Sequence, residues 1–427
     1  MVSPDRFLTS CLTDFLLKVT KSSKAVLYLS YDGLSDAIGQ SQVLPYLRAC
    51  HARGIPLHLV TFEKAQKAEK IAQIEKLLAD EGIHWHRLSF TEKSGLQHKI
   101  YDFGRFIRKA FSVARQANID VIHGRSYFAS MVGLLLKNTT GKKLIFDKRD
   151  FWIDAVVETG RLNLRKKAHR LVHDRLRAFE RALFRKSDHV VSLTHKAKAI
   201  VLEKYPQQKT DSVTVVPCCA DLSLFDPQKI KPSDQEALRK KYGLEGATVF
   251  GYVGSVGPAY MIGELFSLFK VISGKIPAAK LLFMVNNDPE EVLRLAESAG
   301  ISRDQIVVTH APREQMPLHI SIIDYGLFFI MPTFAKQACS PTKQYEMLAM
   351  GKPIITNKGV GDAEKVFEEL DCGFLLEDFS EESYRTAADW ISQNPPKETH
   401  YDLSHYSLEY GAEKYYTVYR SLLDGKS

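Results

Sequence analysis

What most limits the fold of this 427-residue chain is a recurring unit: a short apolar run, a polar loop, then a segment with helical spacing. Residues 24–30 (KAVLYLS), 56–62 (PLHLVTF), 83–89, 120–124 (DVIHG), 143–147 (KLIFD), 189–193 (HVVSL) and 213–217 (VTVVP) are such runs. Strands buried on both faces read this way, and strands separated by helices pair in parallel. The alternation restarts at 248–253 (TVFGYV) and continues through 280–285 (KLLFMV), 306–309, 325–330, 354–355 and 373–376. Between the two series, residues 226–234 carry the Pro and Lys of a linker. A chain this long outgrows one hydrophobic core, so an α/β protein of two domains is expected, 1–227 and 228–400.

Composition adds exclusions. Apolar and charged fractions of 45% and 25% are those of an ordinary globular protein. The six cysteines lack metal-ligand spacing, and Cys218 and Cys219 are adjacent, which suits reduced thiols in a cytoplasmic protein. No apolar stretch is long enough to span a bilayer. Residues 1–20 contain Phe7, Leu8, Leu12, Phe15, Leu16 and Leu17, but Asp5 and Asp14 interrupt them. They read as an amphipathic first helix lying on the protein or on a bilayer, not as a signal peptide. The net charge of +8 is concentrated in 161–186, where ten Lys/Arg face only Asp174 and Glu180. Such a basic amphipathic helix is either a solvated face or a docking surface for anionic lipid. No base-reading or zinc motif accompanies it, so nucleic acid is not expected as a partner.

Residues 339–362 (CSPTKQYEMLAMGKPIITNKGVGD) carry the chemistry. Ser340 reads as a helix N-cap with Pro341 in the first turn, Thr342 opens a run of helix formers, and Gly351 stops it. Lys343 and Glu346, three apart, share a helix face. A helix N-terminus beside a lysine suits a diphosphate, and a carboxylate one turn deeper can accept hydrogen bonds from a ribose.

In this setting, S-P-T-K-x-x-E-x-L-A-x-G-K-P-I-I resembles the donor-site segment of GT-B glycosyltransferases of family 4. The resemblance implies two Rossmann-like domains facing across a cleft, with a final segment, 401–427, whose helix packs back on the first domain. It implies transfer of a sugar from a nucleotide diphosphate sugar to an acceptor hydroxyl, with retention and without metal or cofactor. Ser340, Pro341, Thr342 and Lys343 would hold the diphosphate and Glu346 the ribose. Many members carry a second glutamate eight positions earlier, where this chain has Ala338. The backbone of Gly254 and Ser255 would meet the distal phosphate. The Arg and Lys that commonly follow that loop are absent from GSVGPAYMIGE, where Tyr260 stands instead, leaving Lys343 as the principal cation. His310 and Ala311 would lie beside the nucleobase.

In the first half, the loop DGLSDAIGQSQ resembles the family's glycine-containing loop, with Gly39 and Gln40 on the acceptor side. A plain turn glycine is the other reading of Gly39. IHGRS and DKRDFW resemble its strand-end segments, bringing His123, Arg125 and Arg149 to the transferred sugar and Asp150 to the acceptor. Asp221 and Phe225 of CCADLSLF match the D-x-x-x-F with which the first domain closes. The acceptor implied is a glycan or lipid-linked molecule of envelope or exopolysaccharide synthesis, met at the inner face of the plasma membrane. Two rivals share the fold: a nucleotide-sugar epimerase, and a partner protein that has lost catalysis.

Overall fold

The computed structural model describes residues 24–91, 95–397 and 399–425. The expected helix within residues 1–20 lies outside them. Among the described residues the apolar runs become thirteen strands in two sheets. The first sheet holds β1 (Ala25–Leu29), β2 (Leu57–Glu63), β3 (His84–Ser89), β4 (Ile119–Arg125), β5 (Lys143–Lys148), β6 (His189–Ser192) and β7 (Val213–Val215). Their order is β3-β2-β1-β4-β5-β6-β7. The second sheet holds β8 (Thr248–Val253), β9 (Ala279–Met284), β10 (Ile306–Thr309), β11 (Tyr325–Leu327), β12 (Ile354–Asn357) and β13 (Gly373–Leu376), in the order β10-β9-β8-β11-β12-β13. Pairing is parallel at β1–β2, β1–β4, β8–β9 and β8–β11. In both sheets the order reverses at the first strand, and the carboxyl end of such a switch point is where open α/β sheets take ligands. The loops after β1 and β8 leave from these two points.

By internal packing the chain forms two compact units. One takes the chain up to Asp147, Ala182–Val190 and the chain from Tyr415 onward; the other takes Lys148–Arg181 and Val191–Lys414. In the first unit Val26, Leu27, Leu29, Val121 and Ile122 are fully buried. The rings of Tyr415 and Tyr419, from the last helix (Leu408–Leu423), lie 5.6 and 5.7 Å from that of His123. In the second unit Val249, Phe250, Leu281, Phe283, Leu327 and Ile354 are fully buried in one core cluster.

Three local readings need correction. Residues 37–42, part of the expected glycine-containing loop, form a separate short helix, Ala37–Gln42, that breaks at Val43 before helix Leu44–Ala52 begins. Gly39 therefore sits in a helix. A Cβ there would lie 2.1 Å from the Gly33 carbonyl oxygen, so the glycine lets this turn pack onto the preceding loop. The linker is shorter than read, because helix Pro232–Lys241 begins inside it, with its proline in the first turn. Helix Trp152–Glu158 follows β5 where only a strand-end segment was read. No helix among the described residues is long and apolar enough to cross a membrane. The basic segment forms helix Lys167–Lys186, with Leu171 and Val172 exposed among its cations.

Candidate functional site

Helix Thr342–Ala349 is built from the predicted stretch, but its start is organised differently. Pro341 occupies the cap position, and the Ser340 hydroxyl instead accepts the Cys218 N–H at 3.1 Å. Ser340 thus ties the helix start to the segment after β7 and does not cap the helix, and proline, with no side-chain oxygen, makes no side-chain cap there.

Lys343 is 8% exposed, and its Nζ has no hydrogen-bond partner. The ammonium instead lies 4.4, 4.2 and 5.5 Å from the ring centroids of Tyr252, Tyr260 and Phe328. Ring faces attract a cation, but far less than water solvates it. Burial accordingly pulls the lysine down to about 7, against the opposing pull of Cys339 and Glu346. Beside it runs the loop after β8. Gly254 has a φ of +119°, and a Cβ there would stand 2.9 Å from the Lys343 Nζ, so only glycine gives this backbone and this proximity. The Tyr252 hydroxyl donates to the Ser255 carbonyl at 2.8 Å. Asn287 pins the loop from outside, accepting the Val256 N–H at 2.8 Å and donating to its carbonyl at 3.1 Å.

Glu346 is buried and accepts from Arg313 Nη1 at 2.8 Å. The Arg313 guanidinium lies 5.4 Å from the Phe225 ring centroid. Of the predicted loop after β10, His310 is exposed and Ala311 buried. Arg149 Nη2 donates to the Cys218 sulfur at 3.6 Å, one residue contact from Ser340. Asp150 is half-buried in the same unit. Lys343, Glu346, Gly254, Ser255, Tyr260, Ser340 and Arg149 thus belong to one connected neighbourhood. Arg313 and Asn287 also belong to it and were not read from sequence; a lone arginine in a 3-10 turn and an asparagine after a strand carry no motif.

In the other unit, β4 ends at His123 and Arg125, and Ser126 turns straight into a helix at a left-handed φ of 62°. That strain at a strand end is typical of sites where a side chain is aimed. His123 is 1% exposed; its Nδ1 is 2.7 Å from the Tyr419 hydroxyl and its Nε2 3.3 Å from Asp147 Oδ2. Arg125 Nη2 donates to Gln42 Oε1 at 3.3 Å, with Asp32 at 3.6 Å and Asp147 at 3.9 Å. His123 and Arg125 therefore do converge, on Asp147, a residue the sequence offered only as a strand end. The His123 ring is committed on both edges to neighbours in this unit. The loop after β1 is held by Glu63, which accepts from the Leu34 and Ser35 amides, the Ser35 hydroxyl and the Thr61 hydroxyl at 2.6–3.1 Å. Gln40 Nε2 donates to the Leu34 carbonyl at 2.7 Å. Among the described residues, no three His, Cys, Asp or Glu are arranged to hold a metal ion.

Comparison with known proteins gives this geometry a context. Residues 40–224 match the family model Glycosyltransferase Family 4, and residues 234–407 match Glycosyl transferases group 1. A Bacillus subtilis (strain 168) protein provisionally named teichuronic acid biosynthesis glycosyltransferase TuaH is 23% identical over 288 residues, 64% of this chain and 67% of that relative. The crystal structure of Anabaena Alr3699/HepE in complex with UDP and glucose superposes with a TM-score of 0.62 at 13% identity, covering 94% of this chain and 98% of that one. WaaG, a glycosyltransferase involved in lipopolysaccharide biosynthesis, gives 0.61 at 16% identity, with the same coverages. The structural matches establish the fold.

Proposed function

We propose that this chain, which belongs to the GT-B glycosyltransferases of the family 4 and group 1 type, moves a sugar from a nucleoside diphosphate sugar to an acceptor hydroxyl, with retention and without a metal. The observation that carries the reading is Lys343, a buried amine with no hydrogen-bond partner, set in the first turn of a helix beside a glycine loop. A leaving diphosphate supplies the negative charge these groups lack. The acceptor oxygen bonds to the anomeric carbon as the bond to the diphosphate oxygen breaks, and the proton of the acceptor hydroxyl passes to the departing diphosphate. Lys343, the Gly254 and Ser255 backbone and the amides following Ser340, Pro341 and Thr342 stabilise the charge that develops there. Tyr260 seats the lysine in place of the family's missing cation pair, and Arg149 is the second positive charge. Glu346 holds the ribose, with His310 and Ala311 beside the base. On the other unit, Arg125 meets the sugar or acceptor. His123 fixes Asp147, which fixes Arg125, and Gly39, Gln40 and Asp150 shape the acceptor side.

The test is direct. One of UDP, GDP, ADP, CMP or TDP is expected to raise the melting temperature. Binding of that nucleotide restores the Lys343 proton, because a nearby anion favours the charged amine. At pH 8 the free lysine, near 7, is mostly neutral. Calorimetry in buffers of different ionisation enthalpy should therefore show uptake approaching one proton. Binding with no proton uptake would remove Lys343 from the diphosphate; no binding at all would favour a non-catalytic partner.

The acceptor is lipid-linked in this reading, a glycan intermediate of envelope synthesis, and the chain works at the inner face of the plasma membrane. Exposed Leu171 and Val172 beside exposed Arg170 and Arg175 support it. Cosedimentation with anionic vesicles is expected and should fall with salt and with Leu171→Asp. Equal binding to zwitterionic vesicles would refute docking through this helix.

A further inference from the structure

Arg313 sits where the proposed ribose contact is made, yet the donor reading gives it no task. Its Nη1 donates to Glu346 Oε1 at 2.8 Å, and its guanidinium plane rests near the Phe225 ring, 5.4 Å from the centroid. Phe225, the aromatic end of the D-x-x-x-F segment, is 1% exposed and therefore a fixed surface. Phe225 seats the arginine, and the arginine in turn seats the carboxylate. One carboxylate oxygen is thereby occupied. Among the described residues, no hydrogen bond to Oε2 of Glu346 is made. A carboxylate held by one oxygen can turn only about the axis of that bond, so the other oxygen is presented in a restricted direction. Arginine does this better than lysine, because its fork is planar and rigid.

We propose that Arg313 is the positioning residue that makes the site selective for a ribonucleotide. It holds the Glu346 carboxylate oriented through the 2.8 Å hydrogen bond, so that the free oxygen accepts from the ribose hydroxyls. The inference rests on the donor reading of Glu346 and adds to it the source of sugar selectivity. Without Arg313, the Glu346 carboxylate would lose the guanidinium donor that fixes its direction. The side chain is then free to swing, and its oriented acceptor is lost. The selectivity should then collapse while the diphosphate contacts persist.

The experiment compares affinity for UDP, GDP and ADP with that for their 2′-deoxy and 3′-deoxy counterparts, using the full chain. The parent protein is expected to prefer the ribose form by about 10-fold or more, the effect of one charge-assisted hydrogen bond. Arg313→Met should reduce that preference to about 2-fold, chiefly by weakening the ribose form. Arg313→Lys should restore part of it. A merely structural arginine would weaken ribose and deoxyribose forms alike and leave the ratio unchanged, and that result overturns the proposal. Glu346→Gln separates the two layers. If it abolishes the preference while Arg313→Met does not, Glu346 binds ribose without help from Arg313. If it leaves the preference intact, the ribose reading of Glu346 itself fails. Should Arg313→Met unfold, Phe225→Leu tests the same seat, with the expected ratio lying between those of parent and Arg313→Met.

Discussion

Lys343→Met should lower sugar transfer by about 1,000-fold or more, the scale expected when the charge on a leaving group loses its main stabiliser. The same change should leave the fold intact and make it more stable near neutral pH. The lysine pays for its position. Its amine is buried under three rings, and its folded value of about 7 lies below the ordinary 10.5. A depressed amine has a definite sign in linkage. Between about 7 and 10.5 the unfolded chain holds more protons than the folded one, so the stability of the parent rises with pH across that window. Below it the full cost of burying the ammonium is present. Methionine fills a similar volume with no charge, so the gain should be greatest below pH 7 and vanish above the window. Chemical denaturation at pH 6 and pH 10, together with a transfer assay, checks both halves. A variant that is both inactive and less stable at pH 6 would mean that the lysine is structural.

Glu63→Ala should act on the other unit, and mainly on the acceptor. Glu63 is 1% exposed and gathers four hydrogen bonds that set the loop after β1 at the first switch point. Losing a buried charged acceptor also strands its donors; a cost of about 3 kcal/mol or more is expected. Glu63→Gln should be nearly as harmful, because its amide nitrogen would face the backbone donors of Leu34 or Ser35. The melting temperature should drop, and the KM for acceptor should rise well before nucleotide affinity changes. Equal loss of nucleotide affinity would show that Glu63 supports the whole fold and not this loop.

The sequence made the sheets legible for a simple reason. A strand such as VFGYV or LLFMV is apolar on both faces, and few other placements tolerate that. Lys343 and Glu346 were legible because a proline, helix formers and a terminal glycine bracket them. The failures share a cause. Ser340 reads as a cap by local rules, but a distant partner, the Cys218 amide, takes its hydroxyl. Arg313, Asn287, Asp147 and Glu63 act through residues remote in sequence or through loop amides, and no local pattern encodes such contacts. The helix at 37–42 was hidden because Gly39 reads as loop punctuation, whereas it is the contact that lets the turn pack.

An amine that has shed its proton is also a nucleophile. Lys343 and Lys148 are both held near 7 by burial, but Lys148 is fully buried while Lys343 is 8% exposed and lies against the Gly254 loop proposed to take the diphosphate. A phosphate-bearing aldehyde should therefore form an imine with Lys343 in preference to the ordinary surface lysines, which stay protonated at neutral pH. The feature that readies this residue for a diphosphate thus also makes it a point of covalent labelling, and a bound nucleotide should shield it twice, by occupying the space and by returning the proton.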